Sequence, residues 1–558
     1  MSDAAARSPS SKLGINQSEE YWRHSATMKL RMLRFVVGPG LLAGLCATFG
    51  AVMSTGYARA QEFATIEKNF SQRVTVKKLP NGLTLIVCSR PEAPVFSFFT
   101  IVNAGSVQDP KGETGLAHMF EHLAFKGTKD IGTTDYPAEK LALAKVEQSY
   151  ETYDAEYRKR VGQDPAKLKQ LKAQFDANTA AAEKYVVPNQ FTQIAQLNGA
   201  VGVNAETSND ATEYFWSMPA NRLQLWAYME SDRIANPVPR EFYKERNVVM
   251  EERRMRVDSN PIGYMIEQFL ATAYVAHPYR NPGVGWMSDI SQVSATEANA
   301  FHKKYYVPSN IVVTVVGDVT AKQTMPILEK YFGSIPTGPQ PAPLATVEPP
   351  QEAEKSVTLK EPTQPFYVEG YHRPSYLDKD DAVYDAISDI MSNGRTSLLY
   401  RSLVRDQKIA AEAAGFSGFP GDKYPNLFAF YAVPTPGHTP QQMRTAIHAE
   451  IDKLKSQDVT DDELAMFKTR ARAGILRSLD NNQGLAEELG TYQLRYGDWR
   501  MLFQQLNKID AVGKADIRRV ANQVFTSKNR TYAMIEFAPP KPVKPASNAP
   551  AQAHQGGR

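Results

Sequence analysis

The chain has 558 residues, 42% of them hydrophobic and 22% charged, with 36 Pro, 34 Gly and 2 Cys. This composition excludes a disordered, collagenous or disulfide-stapled protein, and at about 150 residues per domain it leaves room for roughly three or four domains with full cores. Residues 1–60 hold seven basic and three acidic side chains, which accounts for the whole formal charge of +4, so the remainder is neutral and offers no basic face to a nucleic acid.

Lys29, Arg31 and Arg34 precede an apolar run at 35–53, followed by Ala58-Arg59-Ala60. The charged flank and the small-x-small site predict an export signal cut after Ala60, periplasmic in destination if the cell is bacterial. The alternative is a membrane anchor through 35–53, which Gly38-Pro39-Gly40, Gly44 and Gly50 weaken as a spanning helix. Met28 stands directly before the basic residues and is a second candidate start. With Cys46 in the leader, Cys88 is left alone and makes no internal disulfide; its run Leu83-Thr-Leu-Ile-Val-Cys reads as a buried strand thiol.

Further along, 74–79, Asn81-Gly82 and 83–87 predict strand, tight turn and strand, because Asn-Gly supplies the positive φ of short hairpins. A third strand is expected at 96–102, and 115–125 carries apolar residues at helical spacing. From 137 to 184 the chain turns to Ala, Glu, Lys, Gln and Tyr, broken once at 162–165, which predicts an inserted helical hairpin with a solvated face. Strands are expected at 201–204 and 212–218, and helices at 221–234 and from about 240 to 257. Tyr305-Tyr-Val-Pro-Ser-Asn310 leads into an alternating strand at 311–316. Val524-Phe-Thr-Ser-Lys-Asn529 and 531–537 repeat that layout 219 residues later, which points to two related halves joined by the Pro-rich stretch 336–350. Past Pro539 the composition is too poor in apolar side chains to pack.

His118-Met-Phe-Glu121-His122 carries the chemistry. On a helix, positions i and i+4 share a face, so both imidazoles can converge on one ion while Glu121 stands beside them. Imidazole is a good zinc ligand, and a tetrahedral catalytic site takes three protein ligands plus water, whose proton Glu121 is placed to remove. The third ligand is sought on the helix from Arg240, in Glu245-Arg-Asn-Val-Val-Met-Glu-Glu252. Glu245 and Glu252 are two turns apart and share a face, Val248 and Val249 are expected to pack toward the core, and Glu251 points away. Geometry leaves Glu252 and Glu245 both open as the ligand, the other steadying a histidine. The competing reading is a solvated acidic flank paired to Arg246, Arg253 and Arg254.

His118-x-x-Glu121-His122 resembles the inverted zinc motif of the pitrilysin/insulinase metallopeptidases. Leu79-Pro-Asn-Gly82, Gly115 through Thr128, Asn204-Ala-x-Thr207, Glu245-Arg-x-x-Val-x-x-Glu252 and Tyr306-x-Pro-x-Asn310 resemble that family in order. The resemblance implies one zinc held by His118, His122 and Glu252, with Glu121 as general base and Glu245 as the supporting carboxylate. It implies an α+β fold of two homologous α/β-sandwich halves, each an antiparallel-rich sheet plus helices, forming a clamshell with metal in the first half only. The expected division is a leader at 1–60, a catalytic half at 61–335 carrying the insertion at about 137–187, a linker at 336–350, a metal-free half at 351–540 and a tail at 541–558. Half-length members work as dimers, so a homodimer or a heterodimer with a metal-free homologous subunit is implied. The expected activity is an exported zinc endopeptidase acting on peptides or partly unfolded proteins; the alternative is a non-catalytic zinc-binding or scaffold subunit. Asn204 is a candidate for bonding substrate backbone along an edge strand. Arg405 is a candidate substrate contact, although Glu412 or Ala411 stands where the family commonly has a Tyr. His277-Pro-Tyr279 is read as a loop and not as a further ligand pair.

Overall fold

In a computed structural model, the structure describes residues 67, 68 and 70–539. The expected export segment and the tail lie outside them. The first half is built on six strands: β1 (Val74–Lys78), β2 (Thr84–Ser89), β3 (Val95–Val102), β4 (Val201–Thr207), β5 (Thr212–Pro219) and β6 (Ile311–Gly317), ordered β1-β2-β6-β3-β5-β4. The second half has five: β7 (Lys355–Glu361), β8 (Phe366–Arg373), β9 (Ala410–Phe419), β10 (Asn426–Pro434) and β11 (Arg530–Phe537), ordered β7-β11-β8-β10-β9.

The second sheet is the first without β1. β6 runs parallel to β2 and antiparallel to β3, just as β11 runs parallel to β7 and antiparallel to β8. The repeat extends to side chains. Asn310 donates to the carbonyls of Tyr305 and Asn103, closing a helix end and the exit of β3. Asn529 does the same with Val524 and His372, at a helix end and in β8. One amide thus satisfies two backbone acceptors that would otherwise be left unpaired at equivalent corners.

The β1–β2 turn is wider than Asn81-Gly82 predicts. Five residues separate the strands, and buried Asn81 donates to the carbonyls of Phe332 and Ile335 at the end of a first-half helix. Gly82, at φ +97°, lies where a Cβ would meet Ser309 at 2.9 Å. Cys88 is fully buried, and burial pushes its thiol up to about 11.

β6 shows no alternation of exposure; all seven residues are buried, because both faces of the sheet are covered. One face carries first-half helices. The other receives a helix from the second half, Asn482–Tyr496, which packs on β3 and β6. There Leu485, Ala486 and Leu489 join Ile86, Cys88, Phe99, Ile101, Val312 and Val316. The contact is reciprocal: the first-half helix Pro261–Ala273 packs on β7 and β11, placing Met265, Ile266, Phe269 and Leu270 against Val368, Ala533 and Ile535. Glycines permit both approaches, since a Cβ at Gly490 would lie 2.9 Å from Phe99 and one at Gly370 would lie 2.8 Å from Phe269. Six large apolar side chains in this exchange, at about 1.5–3 kcal/mol each for full burial, hold the halves closed on each other.

Candidate metal centre

Helix α1 (Leu116–Leu123) lies against the first sheet, burying Leu116, Ala117, Met119, Phe120 and Leu123. It starts at Gly115, whose φ is +94° and whose missing Cβ leaves room for the Val284 carbonyl. Asp109 caps it, accepting from the backbone N–H of Gly115 and Ala117 at 2.7 and 2.9 Å. Burial nevertheless dominates and raises Asp109 to about 8. In an unfolded chain an aspartate titrates near 3.9. Between those values the folded state keeps a proton that the unfolded state has released. The stability this group supplies is therefore complete below about pH 4 and declines as pH rises toward 8. Asp109→Asn, neutral throughout, is expected to flatten that decline in urea unfolding compared at pH 5 and pH 8; an unchanged slope would contradict it.

The inserted hairpin is formed by α2 (Tyr136–Tyr157) and α3 (Pro165–Glu183), capped by Asp135 and Asp164 with proline in each first turn. It is no loose appendage. It braces α4 (Phe242–Arg253), whose Tyr243 hydroxyl donates to Glu147 at 2.6 Å and whose Arg246 donates to the Tyr150 hydroxyl at 2.7 Å and stacks on its ring. α4 packs on α1 and continues into a π-helical turn at Arg254–Asp258. Val249 is buried as expected, but Val248 is 45% exposed, because α4 is gripped by α1 on one side and the hairpin on another, leaving that flank to solvent. Glu251 is exposed and pairs with Arg254, whereas Arg253 turns inward to Glu267 at 2.7 Å.

His118, His122 and Glu252 each place a ligand atom within 4.8 Å of the others. His118 Nε2 lies 3.6 Å and His122 Nε2 3.5 Å from the same Glu252 oxygen, Oε2. Tetrahedral zinc with bonds of about 2.0–2.2 Å sets its donors about 3.3–3.5 Å apart, so the two imidazole–carboxylate separations are those of ligands around an ion and are long for hydrogen bonds. Among the described residues no second group of three such side chains converges in this way. The second Glu252 oxygen is held by Arg256 at 2.8 Å. Glu245 stands behind His122, its Oε2 3.5 Å from Nδ1, and its other oxygen is held by Lys126 at 2.5 Å. Of the two carboxylates that spacing left open, Glu252 faces both histidines and Glu245 faces one of them.

Electrostatics fit a cation here. Burial lowers His118 to about 4, keeping it neutral, although Glu252 opposes this. Burial also works against a charged His122, but Glu245 and Glu252 outweigh it and raise that ring to about 9. Burial likewise opposes ionisation of Glu252, which His122 and His118 overcome, holding it near 2. The cradle suits positive charge, and a divalent ion held by His118, His122 and Glu252 would take the place of a proton on His122. Glu121, half-buried beside the pair, is raised by burial while the Thr207 hydroxyl of β4 donates to it.

Asn204 lies exposed on β4, the outermost strand, at a register shift in its pairing with β5. Arg405 is not brought to the cradle in this chain. It lies exposed in a π-helical turn at Tyr400–Asp406 and pairs with Asp406. Glu412 accepts from the Tyr431 hydroxyl on the adjacent strand at 2.5 Å. His277 is buried among Tyr274, Tyr279 and Tyr424, with Nδ1 accepting from the Tyr279 N–H. In the second half, helix Asp381–Ser392 packs on helix Asp461–Ser478, and Arg470 Nε reaches both Asp389 oxygens at 3.1 and 3.0 Å. An ion pair thus joins that helix pair where α1 and α4 bring together His and Glu.

Sequence reasoning missed Lys126, Arg256 and Arg240. Arg256 had a readable signal, four residues after Glu252 on one helical path. Arg240 had none, since its partner Glu139 is 101 residues away.

The family described as Insulinase (Peptidase family M16) matches residues 86–154, and Peptidase M16 inactive domain matches 292–471. The chain thus carries stretches that match M16 (insulinase) peptidase family domains. Among similar proteins, zinc protease PqqE of Helicobacter pylori is 28% identical over 504 residues, covering 89% of this chain and 98% of that protein. An uncharacterized zinc protease of Mycobacterium leprae is 25% identical over 83% of this chain and 91% of its own length. A crystal structure of a protease from Helicobacter pylori superposes with a TM-score of 0.69 at 26% identity, covering 83% of this chain and 99% of that one. The periplasmic protease PqqL of Escherichia coli shares the fold at a TM-score of 0.59 and 16% identity. The match spans 83% of this chain and 47% of PqqL. The two-sheet α+β architecture is that of M16 peptidases.

Proposed function

We propose that this chain is an exported zinc endopeptidase that hydrolyses peptides or partly unfolded proteins. The observation that carries the reading is the convergence of His118, His122 and Glu252 with Glu121 beside them and an exposed edge strand next to Glu121. His118, His122 and Glu252 would hold the zinc. When bound, zinc supplies Lewis acidity, making water easier to deprotonate near neutral pH and polarising an amide carbonyl. Glu121 accepts the proton of the attacking water and later gives it to the leaving amine; its raised proton affinity suits both transfers. Glu245 orients His122 through Nδ1. β4 offers its free edge to an extended peptide, with Asn204 available to substrate backbone, so recognition would rest on main-chain pairing and be weakly selective for sequence.

The helices around α1 all come from its own half, and the two halves are locked together by exchanged helices, so an enclosing chamber needs a second chain. A second copy or a metal-free relative would supply it. PqqL, which is about twice as long as the matched region, is consistent with two such units working as a pair. Arg405, exposed on the second half, would then reach substrate bound to the partner. On this reading the chain divides into leader 1–60, catalytic half 61–335, linker 336–350, second half 351–540 and tail 541–558. The leader and the periplasmic relative PqqL support export.

The match to an inactive domain runs over 292–471, past every cradle residue, and takes in the end of the first half and much of the second. Incubating the purified protein with a mixed peptide library tests the proposal. Cleavage that a chelator stops and zinc restores is expected; zinc binding without cleavage would select the scaffold or zinc-binding alternative.

A further inference from the structure

We infer that Lys126 is a positioning residue for the metal centre, acting through Glu245. The inference rests on the zinc reading above. Lys126 lies four residues after His122, just past the end of α1, and its side chain is only 16% exposed. Its ammonium reaches two carboxylates one turn apart at the start of α4: Glu245 Oε1 at 2.5 Å and Glu241 Oε2 at 3.4 Å. Glu241 holds a left-handed backbone, φ +56°, unusual for a side chain of its size, and its other oxygen is fixed by Lys244 at 2.7 Å. The main chain of Lys126 is held as well, since Arg240 Nη1 donates to its carbonyl at 2.7 Å. One residue therefore ties the end of the helix carrying His118 and His122 to the start of the helix carrying Glu252.

Two carboxylates, Glu245 and Glu252, bear on His122 from opposite ring nitrogens. Glu245 keeps its place behind Nδ1 because Lys126 pulls on its second oxygen. A proton on Nδ1, turned toward Glu245 at 3.5 Å, would leave the Nε2 lone pair on the side of Glu252 and His118. Without Lys126, Glu245 is free to turn away and the ring loses its fixed orientation. A simple charge argument predicts the opposite outcome, because removing a cation near a dication site should tighten metal binding. The two accounts therefore differ in sign.

The test is zinc affinity of the full chain by competition with a chromophoric chelator, for wild type, Lys126→Met, Glu245→Gln and the double variant. Loss of a supporting partner typically weakens metal binding about 10- to 100-fold. Lys126→Met is expected to fall in that range, and to add little once Glu245 is already Gln. Lys126→Arg, which keeps charge and reach, is expected to recover most of the affinity and guards against misreading a folding defect. Unchanged or tighter binding in Lys126→Met, or losses that simply add in the double variant, would overturn the inference. Absence of zinc binding by wild type would instead overturn the zinc reading itself.

Discussion

Glu121→Gln is expected to lower kcat/KM for peptide hydrolysis roughly 1,000-fold while leaving zinc bound, since general-base catalysis contributes about 100- to 10,000-fold. The substitution keeps shape and leaves the three ligands untouched, but an amide cannot take up a proton. The Thr207 hydroxyl can still donate to the amide oxygen, so the side chain should stay in place beside the cradle. Burial raises the proton affinity of the native carboxyl, which makes it a stronger base than an exposed glutamate and a usable acid for the departing amine. Steady-state kinetics on a cleavable peptide, with zinc measured on the same samples, checks both halves of the expectation. Activity within tenfold of wild type would remove Glu121 from the proton transfer. Loss of zinc together with activity would show a structural role.

Arg240→Met is expected to destabilise the fold by about 3–5 kcal/mol, the usual cost of removing one partner of a buried ion pair. Arg240 is fully buried, and its Nε and Nη2 meet the two oxygens of equally buried Glu139 at 2.8 and 3.0 Å. Its remaining donors satisfy the carbonyls of Lys126, Thr128 and Ile131. Gly127 and Gly132, both at positive φ, wrap the loop around the guanidinium; a Cβ on either would lie within 2.8 Å of Nη1. The variant leaves a carboxylate buried without its partner and takes the guanidinium donors from three carbonyls, of which that of Ile131 keeps the Thr128 N–H. Arg240→Lys should rescue little, because a single ammonium cannot reproduce the planar fork. Urea unfolding gives the measurement; a loss below about 1 kcal/mol would contradict the hub. Glu139 belongs to the inserted hairpin, so that insertion helps to hold the loop behind the candidate metal centre even though most of its outer surface is solvated.

How much of this was readable in the sequence follows from the range of each interaction. His118, Glu121 and His122 were legible because one helical turn places them together. Glu245 and Glu252 followed from a spacing of two turns, whereas only the folded arrangement shows Glu252 facing both imidazoles and Glu245 facing one. Val248 was misassigned since helical periodicity fixes which residues share a face but not how much of that face a neighbour covers. The strand at 311–316 was expected to alternate, yet every residue is buried, because its second cover arrives from residues 482–496 of the other half. The repeat was visible only at Asn310 and Asn529, where one amide must close the same corner twice; topology, not sequence, carries the rest of it. Most second-half elements lack a chemical signature, and Arg240 looks like any surface arginine until the fold brings Glu139 to it.

The most direct test of the central claim is the metal content of natively purified protein, compared with His118→Ala, His122→Ala and Glu252→Ala. The account predicts about one zinc per wild-type chain and strong depletion in each variant, with the fold retained. Wild-type protein that carries no zinc in zinc-replete medium, or zinc retained at full occupancy in all three variants, would contradict it.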